Sequence, residues 1–141
     1  MRLRLIAVTP EVEIITATAV LTTSSKRTPQ EIYRSLRVRR DRVEKVLGGL
    51  MLKHGSVLEH NRLVFLAEAD ESEVLKLLLA NRFFEVTPLG EGKWLISCCL
   101  RTAIATLTGG HELPEGVQEG LSEALRQTAP TLWRKVVERG G

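Results

Sequence analysis

His54-Gly55-Ser56-Val57-Leu58-Glu59-His60 places two histidines, a serine and a glutamate just ahead of the apolar run Leu63-Val64-Phe65-Leu66-Ala67. Imidazole, hydroxyl and carboxylate groups can hold a ligand, move a proton or bind a metal. The spacing narrows those options. With Glu59, the histidines do not form the H-E-x-x-H arrangement that aims two imidazoles at one zinc ion. His111 has no spacing that recommends a metal site either. No Walker-type loop or G-x-G-x-x-G occurs, and no serine, histidine and acid stand in an order that marks a hydrolase. A purely structural account also exists: His54 as a cation at a helix C-terminus, Gly55 as the C-cap, and Glu59 paired with Arg62.

Two other groups of residues could carry chemistry. Arg34, Arg37, Arg39, Arg40, Arg42 and Lys45 crowd together and could face phosphates or nucleic acid. Glu31, Asp41 and Glu44 are interleaved with them and no aromatic follows, which favours a solvated helix junction. Cys98 and Cys99 are adjacent, so on a strand they point to opposite faces, and they lack a C-x-x-C spacing. They are expected as reduced core thiols.

The elements that must position these residues follow from periodicity. The chain has 141 residues, is 43% hydrophobic and 26% charged, and carries a net charge of +3, which fits one globular domain spanning 1–141. No apolar run is long enough for a membrane span, and Met1 to Val8 alternates charged with apolar residues like a first strand rather than a signal peptide. A cytoplasmic protein is expected, and the arginine-rich, amide-poor mix is compatible with a thermophile. Strands are expected over 2–9, 63–67, 83–87 and 93–98, the last two forming a hairpin across Gly90-Glu91-Gly92. A helix is expected over 11–21. Thr28, Pro29 and Glu31 open the next. Asp41 and Glu44 offer a second capping box for a helix over 41–53. Asp70 or Ser72 starts a helix over 73–80, and 101–107 forms another. Pro114 begins a last helix that Pro130 kinks or restarts. The class is α+β: a mainly antiparallel or mixed sheet covered by helices on at least one face.

In this order the features resemble the flavin-dependent thymidylate synthases. Leu3 to Pro10 is similar to their first strand, and Leu21-Thr22-Thr23-Ser24-Ser25 to their C-Y-S-S loop. Lys53 to His60 resembles G-H-x-S-x-x-E-H, and Cys98 to Leu107 resembles x-N-x-R-S-L-x-x-F-L. The resemblance implies that fold, and an FAD site with His54 near the isoalloxazine and Ser56, Glu59, Ser24, Ser25 and Arg101 around it. It also implies a homotetramer whose flavin sites draw on more than one subunit. In the family, the reduced flavin passes a hydride as dUMP becomes dTMP, with methylenetetrahydrofolate as carbon donor and NADPH as reductant.

The family's R-H-R-x7-S signature is not kept. Only its last arginine survives, as Arg82, a candidate substrate-binding residue; Ala80 stands for the first, Gly90 for the serine and Gly92 for a following arginine. Arginine suits phosphate because its planar fork grips two oxygens at once, and alanine or glycine offers no such donor. The family's central helices are also missing between Gly90 and Cys98. The sequence therefore points to a synthase-like protein with a degenerate site and no assigned catalytic residue, which keeps part of an FAD or nucleotide site. Two alternatives stand beside it: an active synthase, alone or with a complete homologous subunit, and a nucleic-acid-binding module using Arg34 to Lys45.

Overall fold

The structure, a computed structural model, describes every residue except His54 and Gly141. The chain opens with β1 (Arg2–Val8), followed by three helices: α1 (Val12–Thr22), α2 (Pro29–Arg37) and α3 (Arg40–Gly49). A short 3-10 turn, Gly55–Leu58, leads into β2 (Leu63–Glu68) and α4 (Glu71–Ala80). The hairpin of β3 (Glu85–Gly90) and β4 (Lys93–Cys98) comes next. The chain then runs through α5 (Leu100–Thr108), α6 (Val117–Thr128) and α7 (Pro130–Gly140).

The strands form one sheet in the order β1-β2-β4-β3, antiparallel at every pairing. The α+β expectation holds, in its antiparallel form. Burial along β2 alternates: Leu63, Phe65 and Ala67 are buried, while Val64 and Leu66 are half-buried. With Ile96 and Cys98 of β4, the buried set forms the floor of a core roofed by Leu36, Leu47, Leu121 and Leu132 from the helices. Helices thus cover one face of the sheet, and the other stays open.

Local chemistry explains the helix boundaries. At the start of α2, the Thr28 hydroxyl accepts from the Glu31 N–H at 3.3 Å, while Glu31 accepts from the Thr28 N–H at 2.8 Å. Asp70 and Glu73 form the same reciprocal pair at α4. The second capping box expected at Asp41 and Glu44 does not form. α3 starts one residue earlier, behind Arg39, and Asp41 instead pairs with Arg39 at 3.3 Å. α3 also ends at Gly49 rather than 53, because the Gly48-Gly49 pair and the extended Leu50 stop it. The expected restart at Pro130 is observed: α6 stops at Thr128 and α7 begins at Pro130.

One side chain joins the helical layer together. Glu13, in the first turn of α1, is only 2% exposed. Its carboxylate accepts from the N–H groups of Thr131 and Leu132 at 2.9 and 3.1 Å, capping α7, and it pairs with Arg40 of α3. A buried carboxylate survives when its charge is matched and its lone pairs are filled, and Glu13 meets both conditions. Glu13→Ala would leave two buried N–H groups of α7 without their acceptor, at about 1–3 kcal/mol each, while the half-exposed Arg40 can turn to water. Glu13→Gln keeps one acceptor oxygen and should cost less. Urea unfolding of both variants checks the order; a Glu13→Ala protein as stable as the wild type would refute this role.

Candidate functional site

Two asparagines build the site around the N-terminus of α5. Cys99, the N-cap residue of α5, makes no side-chain cap bond. The Asn61 side chain takes that part, accepting from the Leu100 N–H at 2.7 Å while its own amide donates to the Leu58 carbonyl at 2.9 Å. The 3-10 turn is thereby tied to the start of α5. On the other side, the Asn81 amide donates to Thr106 Oγ1 at 3.2 Å, and its oxygen accepts from the Phe83 N–H at 3.0 Å. This fixes the α4–β3 loop against α5.

Between these two ties lies an open cleft of about 830 Å³. Its lining includes Glu59, Arg62, Arg82, Phe83, Cys99 and Arg101. A cleft of that size suits a small organic ligand. Arg101 is paired with Glu59, and Arg62 pairs with Glu85 at 2.9 Å. The pairing of Glu59 with Arg62 read from the sequence is therefore replaced by a partner 42 positions away. Arg82 forms no ion pair with any described residue. Its guanidinium carbon lies 5.0 Å from the centroid of the Phe83 ring, and that phenylalanine is 63% exposed. The cleft thus presents an uncommitted cation beside an uncovered aromatic ring, a pairing suited to a ligand that is both anionic and planar.

Gly55 has a structural reason to be glycine. A Cβ at that position would stand 2.8 Å from Cδ of Arg101, so the missing side chain is what lets Arg101 lie across the turn and reach Glu59. The hairpin explains two more glycines. Gly90, Glu91 and Gly92 all have positive φ, at 88°, 53° and 72°, so the turn itself favours glycine at both outer positions. These are the positions where the resembled family carries a serine and an arginine.

Of the expected cofactor and substrate residues, the cleft gathers Glu59, Arg101 and Arg82. Ser56 lies exposed on the 3-10 turn. Ser24 and Ser25 sit in the loop after α1; Ser25 borders a separate depression of about 60 Å³ with Arg27 and Arg42. His54, the residue placed nearest the isoalloxazine by resemblance, lies outside the described residues. Among the described residues no cluster of histidine, cysteine or acid could hold a metal, and no helix is long and apolar enough to cross a membrane. In the basic cluster, Arg37, Arg39 and Arg40 are engaged by Glu11, Asp41 and Glu13.

Sequence reasoning missed Asn61, Asn81 and Phe83. A cap supplied 39 positions from its helix leaves no local signature, and Phe83 read as part of a strand that begins only at Glu85. The chain matches no protein-family model, and no curated protein matches it at a significant level.

The cysteines divide between core and cleft. Cys98 is fully buried, and burial, followed by the neighbouring Cys99, pushes its thiol up to about 12. Cys99 is half-buried at the cleft wall, its Sγ 3.5 Å from Thr102 Oγ1. In the native protein, iodoacetamide is expected to label Cys99 and spare Cys98, with both labelled after unfolding, as read by peptide mass spectrometry. The same burial sets a pH dependence. An unfolded Cys98 thiol ionises near its ordinary 9.0 while the folded thiol keeps its proton up to about 12. Stability should therefore fall as pH rises through that window, by at most about 1.4 kcal/mol per pH unit from this group. Cys98→Ala should flatten that part of the urea-denaturation profile.

Proposed function

We propose that the chain is a flavin-dependent thymidylate synthase-like protein that binds FAD or a nucleotide in the cleft between the α4–β3 loop and α5 without carrying out the synthase reaction. One observation carries the reading: the fold brings Glu59, Arg82 and Arg101 from three distant stretches of chain into one cleft, next to the exposed ring of Phe83. Arg82 supplies a charge that no described carboxylate pairs, and Phe83 a surface on which an isoalloxazine or nucleobase can stack. Arg101 is available to a ligand phosphate once that phosphate competes with Glu59, since guanidinium donates to either oxyanion in the same forked geometry.

The end of α4 and the hairpin argue against the synthase reaction. Ala80, Gly90 and Gly92 offer no side-chain donor where the resembled enzymes grip their substrate, and one lost donor in a preorganised site costs about 2.7–4 kcal/mol of transition-state stabilisation. Ser24 and Ser25 lie outside the cleft. In the homotetramer that the resemblance implies, another copy can bring its Ser24 and Ser25 to the cleft, but every copy lacks the donors at positions 80, 90 and 92.

Titration with FAD, FMN and dUMP, followed by flavin absorbance and by calorimetry, tests the reading. At least one should bind, and Arg82→Ala should weaken it about tenfold or more, the loss of a charged hydrogen bond of about 1.5–3 kcal/mol. Gly55→Ala, which dislodges Arg101, should weaken it too with little change in fold. No binding of any of the three would sink the binding claim. Formation of dTMP from dUMP, NADPH and methylenetetrahydrofolate by this chain alone would overturn the non-catalytic claim.

A further inference from the structure

A sheet covered on one face only usually alternates apolar residues inward with polar residues outward. This one does not. β2 reads Leu63-Val64-Phe65-Leu66-Ala67, so this central strand is apolar on both faces although helices cover only one, and β4 sets Leu95 beside Leu66 on the open face between Lys93 and Ser97. In β2 that is the pattern of a strand buried on both sides. The uncovered face is organised in rows across the strands. The central row is Arg4, Leu66, Leu95 and Thr87; one flanking row holds Arg2, Glu68 and Lys93, the other Ala7, Val64, Ser97 and Glu85.

We infer that this open face is the contact between two copies of the chain, packed sheet on sheet about a two-fold axis that runs along the strands between β2 and β4. The rows select this axis. Rotation about it exchanges β2 with β4 and β1 with β3 while keeping each row in place. Leu66 of one copy then meets Leu95 of the other, and Glu68 of one meets Lys93 of the other. The four charges form a square of alternating sign. Neither Glu68 nor Lys93 belongs to an ion pair with another described residue. The alternative two-fold, across the strands, would set Arg4 against Arg4 and Glu68 against Val64, repelling one pair and stranding the other. Aligned face-to-face packing of this kind, with the sheets about 10 Å apart, is an ordinary arrangement for antiparallel sheets.

The size of the face sets the strength. Four strands at about 4.8 Å spacing and six residues at about 3.3 Å rise give a footprint of roughly 19 by 20 Å. That is roughly 380 Å², under half of the roughly 800 Å² per partner of a standard interface, so a weak, reversible association, micromolar or weaker, is expected.

The inference does not depend on any ligand. Sedimentation equilibrium of the full chain from about 1 µM to about 0.3 mM should show a reversible monomer–dimer equilibrium in the range where affinities of that order are read. Leu66→Glu or Leu95→Glu should leave only monomer. Because both side chains lie off the core, circular dichroism and the unfolding midpoint should stay near wild type. Glu68→Lys and Lys93→Glu, made separately, should each weaken the dimer about tenfold, and the double exchange should restore it; these surface changes keep the test valid if a leucine variant fails to fold. A wild-type chain that stays monomeric throughout, including one whose open face is instead occupied by a different protein, would overturn the inference. A dimer indifferent to both leucine substitutions, or one not rescued by the double exchange, would overturn the face or the axis respectively.

Discussion

The carboxylate of Glu13 is the constraint on which the helical layer depends. It sits on the first turn of α1, caps α7, and holds the arginine that opens α3, so three helices far apart in sequence share one acceptor group. Apolar packing alone sets helices side by side within a tolerance of angle and register. A two-oxygen acceptor with fixed bond directions removes that tolerance, because α7 can start only where its N–H groups meet Glu13. α7 in turn packs against α5, α6 and α3. The position of α5, and with it one wall of the cleft, is thus inherited from a contact on the far side of the helical layer.

Within the cleft, electrostatics are divided unequally. Arg101 and Arg62 are each committed to a glutamate, whereas Arg82 rests on an aromatic ring. A ligand entering the cleft meets one cation that needs no displacement and two that do. Surface ion pairs of this exposure are weak, so separating either arginine from its glutamate costs little. The same arrangement keeps the unliganded cleft close to neutral: three arginines face two glutamates among its lining residues.

Much of the fold was legible in the sequence, because it is written in local chemistry. Thr28-Pro29 with Glu31, Asp70 with Glu73, and Pro130 each mark a helix start without reference to anything distant. The period-2 pattern and the Gly90-Glu91-Gly92 turn located the hairpin for the same reason, although β3 began at Glu85 rather than Phe83. The site was harder to read. Glu13 looks like an ordinary first-turn acid until α7 arrives 118 positions later, and Glu59 finds Arg101 rather than the nearby Arg62. Asp41 departs from its local motif because the arginine two residues earlier holds its carboxylate. Local motifs fix where elements begin. Only the tertiary arrangement decides which charged groups meet.

The edges of the sheet complete the picture. β3, at one edge, carries Pro88, which has no N–H to offer a neighbouring strand, and its pairing with β4 shifts register just beyond that residue. β1, at the other edge, breaks its register between Leu5 and Ala7 and presents Arg2 and Arg4. Both edges therefore lack the flat, regular ladder that an added strand would need. Growth strand by strand has no natural end and leads to fibres. A sheet stopped at both edges can be covered only through its face, and a covered face has no second surface to pass on. Pro88 and the irregularity in β1 thus disfavour edge-to-edge growth in a chain whose central strand is apolar on both faces.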